Sequence, residues 1–275
     1  MTADTSPTGS RPAPRTRIKI CGLTREADVA AAVAAGADAI GFNLYPQSPR
    51  YVEPARAAQL ARLLPPMVTP VLQFVNEDAI NIEAACAMVA GATIQFHGDE
   101  SPAECAALAA RLQRPFWRAA RLPTDGAAPF DLLEFAHAFA QAQALLLDAH
   151  VQGYGGGGRT FDWSQLPANI PAHLVLAGGL TPANVSAGIA ALRGRGLSLA
   201  VDVSSGVEAD GPDGQPLKGI KDADKIDRFV AAVRAADAAY PYLPLSPITS
   251  PMPAGTLAAT AAASSPKPSP TPSTS

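Results

Sequence analysis

A single α/β domain built as a closed (β/α)8 barrel, the TIM-barrel architecture, is what this 275-residue sequence predicts. Three observations carry that expectation. Eight short apolar runs recur between residues 17 and 206. An alanine-rich amphipathic stretch follows each of them, and strands separated by helices pair in parallel through right-handed crossovers. The first strand-to-helix turn, running from Cys21 to Asp28, lacks the GxGxxG pattern by which an open doubly wound sheet usually marks a dinucleotide site. Length alone allows one barrel or two small domains, and the count of eight units decides for the barrel.

The elements follow in order. Residues 1 to 16 are rich in Pro, Ser and Thr, carry no periodic apolar face and are expected to be a disordered extension. The barrel then spans 17 to 240. Its strands are read at RIKICG (17 to 22), AIGFNLY (39 to 45), VTPVLQFV (68 to 75), TIQFHG (93 to 98), FWRAARL (116 to 122), ALLLDA (144 to 149), HLVLAGGL (173 to 180) and SLAVDVSSG (198 to 206). Helices are read after each, among them READVAAAVAAG, PARAAQLARLL and KDADKIDRFVAAVRAA. The sixth, near Asp162, has the weakest pattern. From residue 241 to 275 proline recurs every few positions, which favours polyproline-like or irregular chain; a partner-binding tail is the alternative.

In such a barrel, functional groups sit at the C-terminal ends of the strands, and phosphate is often held by the loops after strands seven and eight. Those ends carry Cys21, the segment from Asn43 to Arg50, Gln73, His97, Arg118, Asp148, Gly178 with Gly179, and the segment from Asp202 to Gly206. This set suits a small anionic substrate. Cys21 is core filler or chemistry, because a free thiol also behaves as a small hydrophobe. Asp148 follows Leu145, Leu146 and Leu147, so its carboxyl emerges from a buried strand, where desolvation would raise its pKa and fit it for general-acid work; a turn cap is the plainer role. AGGL (177 to 180) and VSSG (203 to 206) supply backbone N–H groups for an anion, with a helix starting at Thr181-Pro182. Tyr154 to Gly158 reads as a linker or as a mobile loop over the site. His97, His137, His150 and His173 show no metal-ligand spacing, so no metal is inferred.

Bulk properties narrow the function class. A net charge of −3 leaves no global basic field and argues against a nucleic-acid partner. Three cysteines, Cys21, Cys86 and Cys105, make an odd set that argues against a disulfide framework and for a reducing compartment, the cytoplasm by default. Cys86 and Cys105 fall on alanine-rich helices and are most simply core. The first sixteen residues lack the apolar centre of a signal peptide, and no uninterrupted apolar run approaches eighteen residues, so a soluble protein without a membrane partner is expected.

These residues occur in segments that resemble the phosphoribosylanthranilate isomerase family of tryptophan biosynthesis. The resemblance rests on KICGLT (19 to 24), GADAIGF (36 to 42), YPQSPRYV (45 to 52), VNE (75 to 77), IQFHGDE (94 to 100), LLLDA with YGGGGRTFDW (145 to 163), AGGLTPANV (177 to 185), VDVSSGVE and KDADKI, in the family's order. It implies a cofactor-free Amadori rearrangement of N-(5-phosphoribosyl)anthranilate, with Asp148 as general acid and Cys21 as general base. It further implies that Arg50 holds the anthranilate carboxylate, that Gly179, Asp202 and Ser204 contribute to phosphate binding mostly through backbone N–H groups, and that Gln95 and His97 line the site. Cysteine is a base only as thiolate, so its pKa is expected to be lowered by Lys19, a cationic intermediate or local dipoles. A monomer is expected, with a homodimer as the alternative. The sequence departs from the family in its four consecutive glycines, in His150 and in a long segment between Glu208 and Asp222. Two other readings stand beside this one: a related phosphosugar aminoaldose isomerase, which would carry aspartate where this chain has Cys21, and a non-catalytic phosphate-ligand-binding barrel.

Overall fold

The computed structural model describes residues 15–123, 130–149 and 160–241. The segment from Tyr154 to Gly158, His150 and the chain beyond 241 lie outside those residues. Within them the eight runs form the parallel strands β1 (Arg17–Cys21), β2 (Ala39–Asn43), β3 (Thr69–Phe74), β4 (Thr93–Phe96), β5 (Phe116–Leu122), β6 (Ala144–Ala149), β7 (His173–Leu176) and β8 (Ser198–Val203). They close into one barrel in sequence order, β8 pairing with β1. The helices are α1 (Glu26–Ala35), α2 (Pro54–Ala61), α3 (Ala79–Met88), α4 (Pro102–Leu112), α5 (Leu132–Ala138), α6 (Val185–Leu192) and α7 (Ala223–Ala239).

Strand alternation sorts the side chains into two cores. Ile18, Ile20, Ile40, Phe42, Leu72 and Phe74 point outward and join the helices in the main core. Opposite them, Ala119, Ala144, Leu146, Val175 and Ala177 form a smaller cluster inside the barrel. By the same parity Lys19, Cys21, Gly41, Gln73, Gln95, His97, Asp148 and Asp202 face the interior. The barrel lining thus mixes polar and apolar side chains, while its outer wall is mostly apolar.

Two expectations need correction. Among the described residues no α-helix stands between β6 and β7. A single 3-10 turn, Trp163–Gln165, stands there, capped by the Asp162 carboxylate on Ser164 N–H. Trp163 packs against the main core in the place a longer helix would fill. The long segment after β8 is not a plain loop. It pairs as an antiparallel hairpin, β9 (Glu208–Asp210) with β10 (Pro216–Lys221). Arg15 and Thr16, the last residues of the expected extension, are bonded to the barrel: Arg15 to Asp38, and Thr16 through its N–H and hydroxyl to Asp237 of α7. Among the described residues no helix is long and apolar enough to cross a membrane.

Candidate active site

β1 places Lys19 and Cys21 two residues apart on the same inward face. Beside them on β2 is Gly41, in register with Cys21. A Cβ there would lie 2.7 Å from Cys21 Sγ and 2.9 Å from Lys19 Cε, so glycine is what lets both side chains occupy the mouth. The gap also lets Cys21 reach past β2, and its Sγ lies 3.6 Å from Gln73 Oε1 on β3. Gln95, in register with Gln73, brings its Nε2 to 3.1 Å from Gln73 Oε1 and 3.0 Å from His97 Nδ1. His97 Nε2 lies 3.0 Å from Asp148 Oδ2 on β6. Cys21 and Asp148, on opposite sides of the barrel, are thus joined by Gln73, Gln95 and His97.

Lys19 is fully buried and holds Asp202 Oδ2 at 2.7 Å. Burial pulls the Lys19 ammonium down, yet Asp202, with Cys21, outweighs it and keeps the pKa above its ordinary value. The Asp202 carboxylate is therefore committed to Lys19 rather than turned to an anion. Cys21 corrects the expectation of a lowered pKa: burial pushes its thiol up, and the opposing Lys19 charge does not compensate.

The two glycine-containing turns meet at the C-terminal ends of β7 and β8. Gly178 and Gly179 have φ of +74° and +63°, a conformation L side chains rarely adopt, and Asn184 fixes the turn by accepting the Thr181 N–H and donating to Gly179 O. A Cβ on Gly206 would sit 1.9 Å from Leu180 O, so these two turns are in backbone contact. Ser204 lies beside them, its hydroxyl and carbonyl oxygens accepting from Lys221 Nζ at 3.3 and 2.9 Å.

Arg50 is buried, and Glu208 takes its Nε–H and an Nη2–H at 2.6 and 2.9 Å, two of the five guanidinium donors. Burial pushes the Glu208 carboxyl up, but the bonds from Arg50, the Lys221 charge and the Gly219 N–H together hold it below its ordinary range. Lys221, 3.6 Å from Glu208, is pulled down to about 8 by burial. Sequence reasoning did not single out Glu208, Lys221 or Asn184, which contact Arg50, Ser204 and the Gly179 turn. Lys221 and Glu208 come from the hairpin and had no local signal, whereas Gln73 was visible at a strand end and needed only the inward parity. Arg118, expected at the mouth, instead points outward, donating to Phe96 O and Gly98 O beneath the Phe139 ring, because it shares parity with Phe116 and Ala120.

The fold and these groups can be set beside known proteins. The family model described as N-(5'phosphoribosyl)anthranilate (PRA) isomerase matches residues 18–232. Curated proteins of that name from Methylibium petroleiphilum and Leptothrix cholodnii are 58% and 55% identical, each over 82% of this chain and over 96% and 93% of their own. The crystal structure of phosphoribosyl anthranilate isomerase from Thermotoga maritima superposes with a TM-score of 0.65 at 36% identity, covering 80% of this chain and 99% of that one. A second isomerase structure, in complex with reduced 1-(o-carboxyphenylamino)-1-deoxyribulose 5-phosphate, superposes at 0.63 with 33% identity and the same coverage.

Proposed function

Since the chain belongs to the N-(5'-phosphoribosyl)anthranilate isomerase family, we propose that Asp148 is its general acid and Cys21 its general base. The protein is an isomerase of tryptophan biosynthesis. It converts N-(5-phosphoribosyl)anthranilate to 1-(2-carboxyphenylamino)-1-deoxyribulose 5-phosphate, an Amadori rearrangement. The observation that carries the assignment of roles is the interior polar chain, with a thiol at one end and a carboxyl at the other.

The chemistry needs one proton delivered and one removed. Asp148 O–H protonates the furanose ring oxygen as the C1–O bond breaks, leaving a Schiff base on C1. The Cys21 thiolate then takes the proton from C2, the C2–H electron pair forms the C1=C2 bond as the C1=N pair of the protonated Schiff base moves onto nitrogen, and the resulting enolamine tautomerises to the ketone. Substrate binding is assigned to the turns at Gly179 and Ser204 for phosphate, through backbone N–H groups, and to Arg50 for the carboxylate. Planar guanidinium suits that ligand, and Glu208 holds the side chain in place for it. Gln95 and His97 line the space between acid and base. The Lys19 pairing removes the Asp202 carboxylate from the phosphate, so Asp202 contributes through strand position alone.

Replacing Cys21 by Ser or Asp148 by Asn should lower kcat by roughly 10²–10⁴-fold with the far-UV circular dichroism unchanged. Loss of substrate fluorescence reads the rate. Turnover close to that of the unaltered protein in either variant would remove that residue from its role.

A further inference from the structure

Gln73 and Gln95 lie between the acid and the base, and the reaction as written gives neither a task. We propose that they are positioning residues, whose amides form one reversible hydrogen-bonded ladder that pairs a Cys21 thiolate with a protonated Asp148. The inference rests on the isomerase reading above.

The ladder has two complete senses. In the one observed, the Cys21 S–H donates to Gln73 Oε1, which also accepts a Gln95 Nε2–H; the second Nε2–H donates to His97 Nδ1. An amide N–H only donates, so Nδ1 accepts, and the neutral ring carries its proton on Nε2 and gives it to Asp148 Oδ2. A half-turn of both amides yields the opposite sense. Gln73 then donates N–H to the Cys21 sulfur and to Gln95 Oε1, Gln95 Oε1 accepts Nδ1–H of His97, and Nε2 accepts the O–H of Asp148. No single amide can turn without setting two donors or two acceptors face to face. One orphan supports a two-way role: Gln95 Oε1 is buried and has no partner among the described residues, as one end of an amide that uses the other end for both contacts must be.

Both senses hold two protons over Cys21, His97 and Asp148, one of them always on the imidazole. The reaction itself converts one sense into the other. Asp148 loses its proton to the ring oxygen and Cys21 gains one from C2, leaving S–H and carboxylate, and the imidazole completes the change by releasing its Nδ1 proton to water and taking one from water on Nε2. Reset follows when the thiol releases its proton to water, the carboxylate takes one from water and the imidazole proton returns to Nδ1 by the same exchange.

The test uses the full chain labelled with ¹⁵N-histidine, with His97→Asn assigning the ring signals, and steady-state isomerisation at saturating and limiting substrate. In the unaltered protein His97 should be protonated on Nε2. Gln95→Glu, an acceptor-only side chain, should move a proton to Nδ1. Gln95→Met should lower kcat by about 10–100-fold while KM stays within about twofold, the scale of losing an orienting partner. Gln73→Met should do the same and serves if Gln95→Met does not fold. Unaltered kcat in either methionine variant, or an unprotonated Nδ1 in Gln95→Glu, overturns the ladder. A wild-type protein that fails to isomerise overturns the functional reading instead, and the ring signals still report on the ladder.

Discussion

Cys21 shows how far one residue's chemistry depends on its neighbours. The thiol is inert while protonated, and burial in the free site favours that form. Lys19 is the nearest group working the other way. For a base that must be ionised, kcat/KM of the free enzyme climbs with pH until the thiol has titrated. Removing the Lys19 charge by Lys19→Met should therefore carry this alkaline limb to higher pH, and a pH profile of kcat/KM in which the limb stays put or falls would contradict that account. The same substitution strands Asp202 as an unpaired buried carboxylate, a loss of about 3–5 kcal/mol, so the profile is best taken at low temperature. KIC could be read from the sequence as two residues on one strand face. That Asp202 would lie beside Lys19 could not, since 183 residues separate them.

At the scale of elements, the β9–β10 hairpin is the addition that the strand count did not foresee. Its two ends carry Glu208 and Lys221 into the mouth, where Glu208 clamps Arg50 and Lys221 clamps Ser204. A lysine whose pKa falls on folding opposes folding while it is charged. The unfolded chain holds that proton up to its ordinary value near 10.4, so stability should rise between pH 8 and about 10 by up to about 3 kcal/mol. Urea unfolding across this range should show the rise, and Lys221→Met should flatten it. A rise of equal size in the variant would assign the effect elsewhere. Lys19 acts in the opposite direction: its contribution is full below the ordinary lysine value and is lost as pH rises from there through its raised folded value. The sixth connection is the counterpart of the hairpin. Its weak helical pattern was visible near Asp162, and among the described residues a 3-10 turn stands there, with Trp163 packed beside Gly188 of α6.

Closure of the barrel is secured where the entrance to β1 meets α7. Asp237 on α7 accepts the Thr16 N–H and hydroxyl at the entrance to β1 and also takes Arg193 and Arg234, tying first strand, last helix and α6 together. Burial pushes this carboxyl up, but Thr16 and Arg193 more than offset it and hold it below the ordinary range. Its contribution is therefore present above the ordinary carboxylate pKa and lost as pH falls through the folded value. Asp237→Ala should cost about 1–3 kcal/mol near neutral pH, seen as a lower Tm, and the deficit should shrink in acid. An unchanged Tm at pH 7 would show that the ends are held by packing alone.

Sequence by itself determined the barrel, since eight apolar runs spaced by amphipathic helices have no other compact closed solution, and it determined which residues stand at strand ends. Local pattern carries that information because strand period and helix period are set by backbone geometry within a few residues. Only the tertiary structure decided what those residues touch. Gln73 and Gln95 meet because β3 and β4 are in register, Cys21 reaches them because Gly41 leaves a gap, and Arg50 meets Glu208 across 158 residues because a hairpin folds over the mouth. Such contacts depend on strand register and loop path, which no short window of sequence contains, and they set the charge and hydrogen-bonding of Cys21 and Asp148, the proposed base and acid.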